Sequence, residues 1–244
     1  MEVLTIAGVK LENLCKSYRV AEKQLKVLNG LTVEFPEQSI SVILGRSGCG
    51  KTTLLRVLGG FEEYDSGTLL RPPLHKMGMV FQEPRLMPWL TVWKNIVFGL
   101  SKTQLDSDRI QELIKTVGLV GFENAYPAQL SGGMQQRAAL ARALAYDPEL
   151  ILMDEPFAAL DHFIREAMQG ELLRIFSVHK KSIIFVTHSI DEALLLGQKI
   201  LVLDQGRVEQ EFSLESFDYP RDILSPEMID IKKNIIKIIT RKGV

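Results

Sequence analysis

Cysteine is scarce in this sequence. Cys15 and Cys49 are the two among 244 residues. Two thiols offer neither a disulfide framework nor the paired spacing of a zinc site, so a reduced protein with incidental thiols is expected. Long apolar runs are missing as well. Stretches such as Leu150–Met153 and Ile183–Val186 fall far short of the roughly 20 apolar residues that span a membrane. Met1–Leu11 has Glu2 early and no long apolar core, so no signal peptide is expected. Charge of one sign is not in excess. Lys and Arg number 29 against 30 Asp and Glu, a net charge of -1, which gives no basic field for a nucleic-acid partner. There is no internal repeat and no low-complexity segment. A role at a membrane would therefore require recruitment by other proteins.

What is present suits one large α/β domain. Hydrophobic residues make up 46% and charged residues 24%, ordinary values for a globular chain of a size that buries a substantial core. Val9–Leu14 and Leu31–Phe35 read as strands, the second ended by Pro36. Ile40–Leu44 is a short apolar run that stops at Gly45, as a strand buried on both faces does. Thr52–Leu58 then reads as a helix halted by Gly59-Gly60, and Met77–Phe81 as a strand. Beyond Gln82 the pattern changes. Pro84 and Pro88 interrupt it, and Trp89 and Trp93 are the only tryptophans. Ile110, Leu113, Ile114 and Val117 follow at helical spacing, with Asp108 and Gln111 marking a helix start. Residues 83–128 are expected to form a mainly helical insertion.

Alternation then resumes. Gln135–Ala145, Ala167–Phe176 and Asp191–Leu196 are expected as helices, Leu150–Met153 and Ile183–Val186 as strands. Ile200–Leu203 and Val208–Phe212 flank a hairpin turn at Asp204-Gln205-Gly206-Arg207. Such alternation predicts an α/β fold with a parallel, doubly wound sheet.

Two motifs carry chemistry. Gly45-Arg46-Ser47-Gly48-Cys49-Gly50-Lys51-Thr52 fits the phosphate loop G-x-x-x-x-G-K-[ST]. Its glycines let backbone N–H groups converge on phosphate, and the following helix adds its positive end. Lys51 is expected at the β- and γ-phosphates and Thr52 at Mg²⁺; Thr53 extends the nucleotide contact. Leu150–Met153 delivers Asp154 to a strand end, where open α/β sheets bind ligands. Asp154 suits Mg²⁺, and the adjacent Glu155 suits the polarising of an attacking water. Together they give a P-loop nucleotidase with Mg²⁺ as its metal; a kinase or GTPase is still open at this point, and ATP as the nucleotide comes from the resemblance that follows.

Leu130-Ser131-Gly132-Gly133-Met134-Gln135-Gln136-Arg137 narrows this reading, because it resembles the signature of the ATP-binding-cassette (ABC) family. It lies between the phosphate loop and the Asp154 strand, at the start of an expected helix. Other elements fall in the family's order. Gln82 resembles the Q-loop, a further Mg²⁺ contact. Ala158-Ala159-Leu160-Asp161 resembles the D-loop. His188 resembles the switch histidine, and Tyr18 the aromatic residue that stacks on adenine. The resemblance implies a P-loop core built from 1–82 and 129–215 with an antiparallel β part, a helical subdomain at 83–128 and a helical extension at 216–244. It also implies that two cassettes face each other head to tail. Ser131, Gly132, Gly133 and Asp161 of one would then meet nucleotide held by the other. Glu155, His188, Gln82 and Lys51 are its expected catalytic set. Ala158 stands where many members have serine or glycine, and no role is assigned to it.

Val80–Val92, His188–Ala193 and Pro220-Arg221-Asp222 are similar to cassettes of nitrate, sulfonate and taurine importers. That subgroup implies two membrane-spanning permease subunits, an extracytoplasmic solute-binding protein, and a peripheral position on the cytoplasmic face of the membrane. The alternative is a non-transport ABC ATPase of nucleic-acid or translation work. The coiled coils, zinc modules and basic arms usual in those proteins are absent from the sequence. Near the end, Met228, Ile231, Ile235, Ile238 and Ile239 form a helical stripe among Lys232, Lys233, Lys237, Arg241 and Lys242. It suits either an anionic membrane surface or packing on its own domain. The second is preferred, since such stripes typify surface helices.

Overall fold

A computed structural model describes residues 8–101, 103–158 and 160–240. The expectations placed on Met1–Ala7, Ala159, Arg241 and Lys242 lie outside these residues.

The sheet that positions the site grows from short, wholly apolar runs. Strands β1 (Val9–Val20) and β2 (Lys23–Phe35) come first in the chain, then β3 (Ile40–Gly45), every residue of which is buried. Helix α1 (Lys51–Leu58), β4 (Ser66–Leu70) and β5 (Met77–Val80) follow. Next come helices α2 (Val92–Ile96), α3 (Ser107–Thr116) and α4 (Gly132–Ala145). The last elements are β6 (Leu150–Asp154), α5 (His162–His179), β7 (Ser182–Thr187), α6 (Ile190–Leu196), β8 (Lys199–Asp204), β9 (Arg207–Ser213) and α7 (Pro226–Thr240).

Six strands form the main sheet in the order β5-β6-β7-β3-β8-β9. All neighbours are parallel except β9, which returns antiparallel to β8. From β3 the chain crosses to the β5 edge, works back through β6 and β7, and only then adds β8 on the other side of β3. The sheet therefore reverses direction between β7 and β3, the place where such sheets open a ligand crevice. Alternate side chains serve two cores. Ile40, Val42, Leu44, Ile151, Met153, Ile183 and Phe185 face α5, α6 and α7. Ile43, Leu152, Ile184, Val186 and Leu201 face α1 and a second, antiparallel sheet ordered β2-β1-β4. A third core gathers Val92, Ile96, Ile110 and Ile114 of the insertion against the small face of α4, namely Ala138, Ala141 and Ala145.

Several expectations need correcting. The opening hairpin is much longer than expected: β2 begins at Lys23 rather than Leu31, because antiparallel pairing carries its polar, exposed half. β4 and α2 were not foreseen. Helix α3 starts at Ser107, one residue before Asp108. Asp106 caps it, its Oδ1 accepting the N–H groups of Asp108 and Arg109. The terminal stripe packs on its own domain: Met228 and Ile235 are buried, and Ile231, Ile238 and Ile239 lie against the same core. Lys232 of α7 pairs with Asp191 at the start of α6.

Candidate nucleotide-hydrolysis site

The phosphate loop joins β3 to α1. Gly50, at φ 108°, caps α1 in a conformation that a side chain resists, and a Cβ there would meet the Val27 carbonyl oxygen at 2.7 Å. The loop is also fastened from outside, since Gly206 N–H in the β8–β9 turn donates to the Cys49 carbonyl at 3.1 Å. Lys51 is 7% exposed. Its ammonium donates to the Gly45 and Arg46 carbonyls at 2.9 and 3.0 Å, which draws the loop around it. Burial pushes the Cys49 thiol up, against the pull of Lys51, so this thiol packs rather than reacts.

Asp154 ends β6 beside the loop. Thr52 Oγ1 donates to its Oδ1 at 3.2 Å. Burial pushes the Asp154 carboxyl up, while the Thr52 hydrogen bond pulls it down. Among the described residues no three His, Cys, Asp or Glu side chains form a metal cage. A hydroxyl and one carboxylate, both hard oxygen donors, fit instead a Mg²⁺ that takes its remaining ligands from water and phosphate.

Glu155 follows in a left-handed conformation, φ 46°, rarely adopted by a residue with a side chain. Its N–H donates to Val186 O at 3.0 Å, which ties the end of β6 to β7. The turn aims its carboxylate at His188, with Glu155 Oε2 and His188 Nδ1 3.2 Å apart. The His188 side chain is 68% exposed. Backbone strain of this kind recurs at functional sites, and here it falls beside the phosphate loop.

A cavity of about 670 Å³ joins these parts. Ser47, Gly48, Gly50, Lys51, Thr52 and Thr53 form its floor, and Gln82, Glu155 and His188 one wall. Tyr18 stands opposite with Leu25 and Val27. Its hydroxyl lies 3.4 Å from Thr53 Oγ1, and Lys16 reaches within 5.3 Å of its ring. Leu25 is paired directly with Tyr18 across the β1–β2 hairpin. The sequence reading missed both Leu25 and Val27, because it began the second strand too late.

Of the expected site residues, Gly45, Arg46, Cys49 and Asp154 adjoin lining residues without lining the cavity themselves, and Ser131, Gly132, Gly133 and Asp161 do not join it. Ser131 caps α4, its Oγ accepting the Met134 N–H at 3.3 Å. Ser131 and Gly132 are exposed and Gly133 half-buried, and none of the three lines the cavity. Asp161 caps α5 through the Ile164 N–H at 3.0 Å and is likewise exposed. These residues present a second surface rather than another wall. Helix α4 also grips the chain on both sides of Gln82. Gln136 donates to Phe81 O at 3.2 Å, and Arg142 to the carbonyls of Pro84 and Arg85 at 2.9 and 2.8 Å. Further along, the buried Asn95 amide bonds Met87, Leu90 and Thr91 backbone groups at 2.7–3.1 Å. Trp89, held on this loop, is 70% exposed.

Fold and site together define a P-loop nucleoside triphosphatase. The sequence profile of the ABC transporter family matches residues 28–158. An uncharacterized ABC transporter ATP-binding protein of Methanocaldococcus jannaschii is 44% identical, covering 95% of this chain and 91% of its own. An aliphatic sulfonates import ATP-binding protein of Bacillus cereus is 37% identical over 97% of both chains. A solved ATP-binding cassette, a dimer in a post-hydrolysis state bound to ADP and Pi, superimposes with a TM-score of 0.79 at 33% identity. That match covers 84% of this chain and 98% of the other. The chain belongs to the ABC transporter family and is one of its ATP-binding, ATP-hydrolysing cassettes.

Proposed function

We propose that this chain powers a small-solute importer, with solutes of the nitrate, sulfonate or taurine kind as the class to test. The observation that supports it best is the division of the site. One cavity holds Lys51, Thr52, Gln82, Glu155 and His188, while Ser131–Gly133 faces outward from another part of the surface. Two cassettes in opposed orientation would bring each outward surface onto the nucleotide of the other. The dimeric state of the ADP-bound relative favours that arrangement.

In this reading the loop amides and Lys51 hold the phosphates, and Tyr18, Leu25 and Val27 receive the base. Glu155 accepts a proton from the water that attacks the γ-phosphorus. The bond to the ADP oxygen breaks, and ADP and inorganic phosphate leave. His188 holds the Glu155 carboxylate at the angle set by their 3.2 Å contact. Thr52, Asp154 and Gln82 would hold Mg²⁺, which supplies charge neutralisation on the phosphates.

Further parts of the proposal concern assembly. Residues 83–128 act as a helical subdomain that meets two membrane-spanning permease subunits, with an extracytoplasmic solute-binding protein delivering cargo. The cassette sits peripherally on the cytoplasmic face. No described helix is long and apolar enough to cross a membrane, so attachment would run through those partners. The test is affinity purification of the tagged chain from solubilised membranes. Two polytopic subunits are expected in the eluate, and transport of an aliphatic sulfonate by the reconstituted complex should require ATP. An ATPase recovered without membrane subunits would remove the importer reading.

A further inference from the structure

Glu192 sits in the first turn of α6. It is only 7% exposed. Its Oε2 accepts the Thr187 hydroxyl at 2.5 Å, and that same Thr187 oxygen accepts the Ser189 N–H at 3.0 Å. Ser189 Oγ in turn accepts the Glu192 N–H at 3.3 Å. Thr187, before His188, is thus bound to the buried carboxylate, and Ser189, after it, to the Thr187 hydroxyl and the Glu192 backbone. Burial pushes the Glu192 carboxyl up, with Thr187 and Arg165 pulling the other way.

Glu192 Oε1 faces Arg165 of α5, whose Nε lies 3.9 Å away. That Nε is buried and makes no hydrogen bond. The other arm of the guanidinium, Nη2, donates to Leu160 O at 3.0 Å, next to Asp161. From Leu160 the chain leads back to Glu155 through tight turns: Leu160 N–H donates to Phe157 O and Ala158 N–H to Glu155 O, each at 3.2 Å. Two segments therefore run side by side with a crossing at each end. Glu155–His188 is one crossing and Arg165–Glu192 is the other.

We propose that Glu192 and Arg165 form a positioning pair that locks the His188 loop to the Leu160-Asp161 loop, so that both take their places together. The proposal rests on the reading of Glu155 and His188 as the hydrolytic pair. Neither Glu192 nor Arg165 lines the nucleotide cavity, so their effect passes through the groups they hold. A side chain that only stabilised the fold would alter thermal stability and the amount of active protein. A positioning pair alters turnover at constant substrate binding, since small misplacements of reacting groups are costly.

The experiment is steady-state ATP hydrolysis by the full chain carrying Glu192→Gln, Arg165→Met or both, with Glu155→Gln in parallel. Glutamine keeps the acceptor for Thr187 and removes the charge facing Arg165. Each single change is expected to lower kcat about tenfold, with KM for ATP within about twofold of the parent. The double variant should be no worse than the poorer single one, because coupled residues lose their shared contribution once. Wild-type kcat in Glu192→Gln, or losses that multiply in the double variant, would overturn the pair while an inactive Glu155→Gln left the site reading intact. Normal turnover in Glu155→Gln would overturn the site reading, and this proposal with it.

Discussion

His188 Nδ1 lies 3.2 Å from Glu155 Oε2, where β6 and β7 end side by side. The contact joins an exposed ring to a carboxylate on a strained turn. Glu155→Gln retains size and hydrogen bonding but cannot accept the proton of the attacking water. Turnover should fall about 10²-fold or more, the range for loss of a positioned base, with ATP binding retained. Phosphate release and equilibrium nucleotide binding on the purified variant check both halves. Near-normal release would remove Glu155 from the mechanism.

Asp154 allows a test in which stability and activity move in opposite directions. Its carboxyl is raised by burial, so the fold disfavours the ionised form. A raised group contributes stability that is full below its unfolded pKa and is lost as pH rises through the folded one. At neutral pH Asp154 is therefore a burden on the fold. Asp154→Asn keeps an acceptor for Thr52 and should raise the thermal midpoint at pH 7, by an increment that shrinks as pH approaches 4. ATP hydrolysis should drop at least about tenfold, as expected when a group needed in the transition state is removed. A lower midpoint at pH 7 would contradict the burial argument.

The outward position of Ser131 makes dimerisation the test of its role. Glu155→Gln protein with ATP should form a dimer detectable by light scattering. Adding Ser131→Arg places a bulky cation on that surface and should leave monomers. The lost cap on α4 costs only about 1 kcal/mol, so circular dichroism should remain that of the parent. Equal dimer formation by both proteins would show that the surface does not receive nucleotide.

Trp89 tests the link to membrane subunits better than its neighbours. Leu86 packs against the third core, so a charge there would damage folding as well as docking. Trp89 is held out on a loop fastened by Asn95, and an exposed aromatic side chain on a rigid loop is a good interface anchor. Trp89→Glu should leave ATP hydrolysis by the isolated chain within about twofold, as for a surface change far from the site. Recovery of the permease subunits in pull-downs should fall. Full recovery would move the docking surface elsewhere.

The motif residues of the candidate site were legible in the sequence through their fixed order. Gly45–Thr52, Asp154-Glu155 and His188 sit at ends of apolar strands too short to be anything else, and backbone topology brings those ends together. Helix α7 was legible for the same reason, through its stripe. What escaped depends on tertiary contact. The Lys23–Gly30 half of β2 is mostly polar and pairs only because β1 lies alongside. Strand β4 has no fully buried residue. The burial of Asn95 and Glu192 has no signal in the apolar pattern, since it follows from the loops whose groups they bond. Asp106 was passed over as a cap because Asp108, two residues on, offered a similar signal.

The grip of α4 on the chain either side of Gln82 has a mechanical consequence. Ser131 starts the helix, and Arg142 lies three turns further along, a rigid rod of roughly 16 Å at 1.5 Å per residue. Its far end is pinned to Pro84 and Arg85, and its middle to Phe81. A displacement of the Trp89 loop is therefore expected to reach α4, at whose start Ser131 stands, through these three bonds.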